Sequence, residues 1–166
     1  MLFLFCRLPL RITQRFSNCE VWGSYLQNAG AVSVGALNSI ESATSDNYNS
    51  GVANSIVGLA NKTNNANGAL IYGAGNEITN SASYISAPTS GNSAKSAADS
   101  LRTSIKDNPG GAVLAIGGGN KADWTQRTQI IGVANTVQGS QDKPSIYNMV
   151  YGYNSNFAVA KSLSYS

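Results

Sequence analysis

Protein chemistry runs on groups that move protons, bind metals or cradle anions, and this chain is short of all three. It has no histidine, which removes the commonest general base, the usual catalytic triads and most zinc sites. The carboxylates after residue 20 are Glu41, Asp46, Glu77, Asp99, Asp107, Asp123 and Asp142, and no two are spaced as a paired acid and base or as a calcium loop. Only stacking of distant segments could bring two together; Asp123 and Glu77 are then the candidates for cleaving a polysaccharide. Neither metal nor cofactor is expected.

One match to a nucleotide motif fails on context. The apolar run Ala112 to Ile116, followed by Gly117, Gly119 and Ala122, satisfies a strand-then-GxGxxA fingerprint. Lys121 to Gln126 is too short for a crossover helix before the next apolar run, and the acidic residue needed about twenty positions on is met only at Asp142, past another complete repeat. Aromatic residues offer the other candidate chemistry. Trp124, Tyr147, Tyr151 and Tyr153 could form a ligand surface, since Tyr and Trp often anchor recognition; filling gaps between turns is their competing role.

The elements that must position these residues come from one repeated phrase: a short apolar run, a glycine, two mostly small residues and an asparagine. It recurs as AVSVGALNSI, SIVGLANKT, ALIYGAGNEI, AVLAIGGGNK and TQIIGVANTV, and in degraded form as NMVYGYNSNF. The glycines are Gly35, Gly58, Gly73, Gly117, Gly132 and Gly152; the asparagines are Asn38, Asn61, Asn76, Asn120 and Asn135, with Asn154 and Asn156 flanking the expected last place. A further GVAN at Gly51 to Asn54 lacks the apolar run. The basic period is 15, between Gly58 and Gly73 and again between Gly117 and Gly132. That is too short for a strand, a crossover helix and a second strand, so the chain winds, adding one rung per repeat.

Residue types explain the rung. Pairs such as Val32 and Val34, Ile56 and Val57, or Ile130 and Ile131 suit a strand of about five residues. Glycine permits the bend, and asparagine tolerates the left-handed conformation and can form a ladder that satisfies turn amides. The fold expected is mainly β, a parallel β-roll (β-solenoid) of short repeats, interrupted by loops at Ser39 to Ser50, Thr79 to Gly111 and Gly139 to Ser145. Such a narrow roll gains from burying a further face against other subunits.

Composition agrees. Charged residues make up 11 % of the chain, against roughly 25 % in ordinary soluble domains, and Gly, Ser, Asn, Thr and Ala take their place. That also suits disorder, yet apolar pairs recurring in phase with glycine argue for order. The net charge is +3, and from Val21 on the basic residues are scattered singly, so no nucleic acid is expected as partner. Residues 1–20 read differently, with bulky Leu, Phe and Arg and both cysteines, Cys6 and Cys19. Arg7 interrupts their apolar run, so they fit neither a secretory signal nor a membrane span and are expected to lie outside the native domain, which covers 21–166. Within the 77–111 insertion, a helix is expected near 93–107: Ala94, Ala97, Ala98, Leu101 and Ile105 make one stripe, Asn92 or Ser93 caps it, Asn108 to Gly110 ends it, and Lys95 stands four residues from Asp99. The stripe would pack on the roll.

From Ser24 on, these recurring phrases and the inserted SAADSLRTSIKDNPGGAVLAIGGGNKAD segment resemble the head of a trimeric autotransporter adhesin, the YadA-like group of bacterial surface proteins. The resemblance implies a left-handed parallel β-roll, three chains side by side as a homotrimer, and display at the bacterial cell surface on a stalk and an outer-membrane anchor. It further implies adhesion to host extracellular matrix, a cell-surface receptor or other bacteria, without catalysis. The chain shows no heptad stalk or anchor strands, so the resemblance implies a head fragment that would not itself insert in a membrane. An ice-binding solenoid would need Thr-x-Thr ranks, which Thr125, Thr128 and Thr136 do not make.

Overall fold

The computed structural model describes residues 30–41, 50–82, 94–107 and 111–158. The atypical 1–20 segment, the boundary near Val21 and the helix-capping positions 92, 93 and 108–110 lie outside the described residues. Each repeat forms two strands, one of five residues carrying the glycine and one of three following the asparagine. In chain order they are β1 (Val32–Ala36) and β2 (Ser39–Glu41), β3 (Ser55–Leu59) and β4 (Lys62–Asn64), and β5 (Leu70–Ala74) and β6 (Glu77–Thr79). After α1 (Ala94–Asp107) come β7 (Leu114–Gly118), β8 (Lys121–Asp123) and β9 (Thr125–Gln126), then β10 (Gln129–Val133), β11 (Thr136–Gln138) and β12 (Ser145–Ile146), and last β13 (Met149–Tyr153) and β14 (Asn156–Ala158).

Six rungs result, stacked in parallel. The long strands form one six-stranded sheet in the order β1-β3-β5-β7-β10-β13, and the short ones a second, β2-β4-β6-β8-β11-β14, while β9 and β12 pair on a third side. In the first sheet all six glycines are in register, Gly35 against Gly58, then Gly73, Gly117, Gly132 and Gly152. This is the predicted parallel solenoid of short repeats with one inserted helix.

The interior is narrow. The middle of each short strand and the second residue of each long one point inward, giving a column Ser33, Ile56, Ile71, Ala115, Ile130 and Val150 on one side. Ile40, Thr63, Ile78, Ala122 and Val137 form the facing column, and Val52, Ala66, Ala69 and Val113 close the third side. Phe157, next in the second column, is 48 % exposed on the last rung.

Three expectations change. The short strands were not anticipated: residues 39–41 and 77–79 are β2 and β6, so the first two loops and the helical insertion begin later than the sequence suggested. One inward side chain per three-residue strand leaves no alternation to see. The GVAN at 51–54 is not another copy of the rung's first corner. It forms the third: Asn54, fully buried, donates from Nδ2 to Ala66 O at 2.8 Å and accepts from Ala69 N at 2.9 Å. In α1, Asp99 pairs with Arg102 rather than Lys95, and Ala98 of the predicted stripe is exposed. The side chains of Ala94, Ala97, Leu101 and Ile105 lie outside the described residues.

Candidate functional site

The rungs turn at three corners, and residues with positive φ stand at most of the turns described. At the first corner these are Leu37, Ala60, Gly75, Gly119, Ala134 and Asn154, with φ between 52° and 65°. The second has Asn65, Asn80 and Trp124, and the third Ala53, Gly68, Ala112, Arg127 and Tyr147. Side chains other than glycine and asparagine pay for this backbone, so the surrounding stack must hold it in place.

The repeat's glycine precedes the first corner and is required twice over. Gly73 has φ 145°, and a Cβ there would lie 1.8 Å from Gly117 O of the next rung; at Gly117, with φ 121°, it would lie 1.9 Å from Gly132 O. No side chain fits where that carbonyl passes. The asparagine ladder lies beside it. Asn76 Oδ1 accepts from both Asn120 N (3.1 Å) and Asn120 Nδ2 (2.9 Å), and Asn76 Nδ2 donates to Asn61 Oδ1 (2.9 Å) and Gly117 O (3.0 Å). The same pattern links Asn38, Asn61, Asn76, Asn120 and Asn135, all buried, and ends where Ser155 N donates to Asn135 Oδ1 at 3.0 Å. Asn154 therefore takes the left-handed position and Ser155 the ladder position. No buried side-chain nitrogen or oxygen among the described residues lacks a partner.

The fingerprint glycines are part of this stack. Gly117 and Gly119 belong to the first corner, and Lys121–Asp123 is strand β8 rather than the start of a helix. The candidate carboxylates lie on the outer face of the second sheet. Glu77 is in register with Lys121, and Thr79 with Asp123, so Glu77 and Asp123 sit on a diagonal between neighbouring strands. Asp123 Oδ1 accepts from Thr79 Oγ1 at 2.7 Å and from Asn80 Nδ2 at 3.0 Å. No group of three or more His, Cys, Asp or Glu among the described residues could hold a metal. Thr125 and Thr128 are fully buried, so they are no part of an exposed threonine rank.

The four aromatic candidates do not form one surface. Tyr151 and Tyr153 share the outer face of β13 with Met149, 59 % and 78 % exposed respectively. Tyr147 is at the third corner, where the Arg127 guanidinium stacks 5.3 Å from its ring centre and also donates to its hydroxyl. Trp124 is on the second corner, half-exposed.

What sequence reasoning missed is the outer face of the first sheet. Beside the buried residues runs an outward apolar column, Val34, Val57, Tyr72, Ile116, Ile131 and Tyr151, flanked by a second column of Val32, Ser55, Leu70, Leu114, Gln129 and Met149. None of the six strands carries a charge. Three consecutive apolar residues mark a strand covered on both faces, and that signal was present in LIY, LAI and MVY. Comparison with protein-family models, curated proteins and solved structures returns no match.

Proposed function

We propose that this chain is a non-catalytic adhesion module that assembles with copies of itself through the outer face of the first sheet. The observation that carries the reading is that face: six strands wide, largely apolar, uncharged, and not covered by any other described element, with Tyr72 62 % exposed and Met149 64 %. Exposed apolar area that extensive on one side of a narrow roll calls for a partner. A parallel stack presents the same pattern on every rung, which suits a symmetric contact between identical chains.

Three copies, a left-handed coil and display at the bacterial surface rest on the resemblance to trimeric adhesin heads. So do the proposed partners: host matrix, a host receptor or another bacterium. Sedimentation velocity on the full chain tests the assembly. A trimer is expected, and Ile116→Lys with Ile131→Lys should give a monomer with an unchanged circular dichroism spectrum, because lysines in that contact would lose their water without gaining a partner. A parent chain that stays monomeric at every concentration sinks the reading. The polysaccharide-cleaving alternative is separated by reducing-end release from oligosaccharides: none is expected, and release that vanishes in Asp123→Asn would replace adhesion with hydrolysis.

A further inference from the structure

The second corner differs from the other two in that every insertion leaves from it. The chain departs after β2 in the first rung, after Ser81 in the third and after β11 in the fifth, whereas the second and fourth rungs turn there without interruption. The fourth makes its turn through Trp124. Directly above, Gly139 packs so close that a Cβ would lie 2.3 Å from Trp124 O, and Ser145 N donates to that carbonyl at 2.9 Å, so the loop 139–144 rises at this point. Below, Ser81 Oγ touches Thr125 Oγ1 at 3.4 Å where the third-rung insertion opens. Trp124 therefore stands on an uninterrupted rung between two that carry insertions at this corner.

The stack itself gives no reason for a tryptophan here. Asn65 and Asn80 hold the same left-handed place in the two rungs below, and asparagine is the side chain suited to it. An indole at φ 51° is strained backbone carrying a half-exposed ring. The residue before it in the chain is fixed by the rung below: Thr79 and Asn80 both donate to Asp123 Oδ1, while Asp123 Oδ2 has no partner among the described residues.

We propose that Trp124, Asp123 and Asn80 form a subsite for an uncharged hexose-type glycan. The indole offers a flat apolar face to the C–H side of a pyranose and one N–H donor, and the pre-set carboxylate oxygen accepts from its hydroxyls. An uncharged sugar fits because the outward charges of the second sheet, Glu41, Glu77 and Asp123 against Lys62 and Lys121, give no positive field for an anionic one. The corner lies opposite the first sheet, so assembly through that sheet would not cover it. The subsite deepens the adhesion reading and rests on it.

The probe is a panel of neutral trisaccharides built from glucose, galactose, mannose or N-acetylhexosamines, titrated into the full chain while the indole N–H resonance of Trp124 is followed. Trp22 is the other tryptophan, and a Trp22→Phe chain assigns the signal. At least one sugar should shift it saturably. Trp124→Asn should abolish binding while keeping or raising the melting midpoint and leaving sedimentation unchanged, and Asp123→Ala should weaken binding ten-fold or more. No response to any sugar, or undiminished affinity in Trp124→Asn, overturns the proposal. The Ile116→Lys, Ile131→Lys chain should still bind the sugar, so failure of assembly and failure of the subsite are read separately.

Discussion

The outer faces of the two long sheets are built on the same rungs, and they could hardly differ more. Across the first sheet the outward columns run Val34, Val57, Tyr72, Ile116, Ile131, Tyr151 without a charge; across the second they carry Glu41, Lys62, Glu77, Lys121 and Asp123. Their inner sides are alike, Ile71 and Ile78 both fully buried in the same rung. Folding constrains the inside and the corners, and leaves the outside free. On the proposed reading, one outer face serves association and the other meets water.

If that division is right, the strongest perturbations should come from the corner where one sheet becomes the other, and the weakest from the solvated face. Gly117→Ala is expected to have the largest effect, because its Cβ would overlap the backbone carbonyl of Gly132; loss of more than about 4 kcal/mol should leave no folded protein by circular dichroism. Asn76→Ala comes next. It deprives Asn120 N of its acceptor, Asn120 Nδ2 of one of its acceptors and Gly117 O of a side-chain donor, and at about 1–3 kcal/mol per buried orphan it should lower the urea midpoint sharply. Both sheets should lose hydrogen-exchange protection together. Lys62→Gln tests the solvated face: the ion pair with Glu41 is 3.5 Å long with both side chains about 40 % exposed, so less than about 0.5 kcal/mol and no change in sedimentation are expected. A large effect there would break the contrast between the faces.

The glycine and asparagine positions were legible in the sequence because each does a job only one residue type can do. Gly117 must admit a carbonyl, and Asn76 must donate and accept at once. The short strands, the third corner at Asn54 and the apolar outer face of the first sheet were not legible in the same way. Asn54 closes a corner with the chemistry of Asn61, so the same GxxN letters fit two places in a rung. Tyr151 and Tyr153 were picked out as aromatic, but that they share a face with Met149 follows from the strand pleat. Trp124 was visible as a residue type, while its strain at φ 51° needs the corner to be known first.

The unequal rung lengths also prescribe an order of assembly in time. β3 with β5, and β7 with β10, join glycines 15 residues apart, whereas β5 with β7 must bring together Gly73 and Gly117, 44 apart. Closing the longer loop costs about 1 kcal/mol more in chain entropy. The two close pairs should nucleate independently and dock afterwards, making the β5–β7 seam the slow step of folding and the first line along which the stack opens.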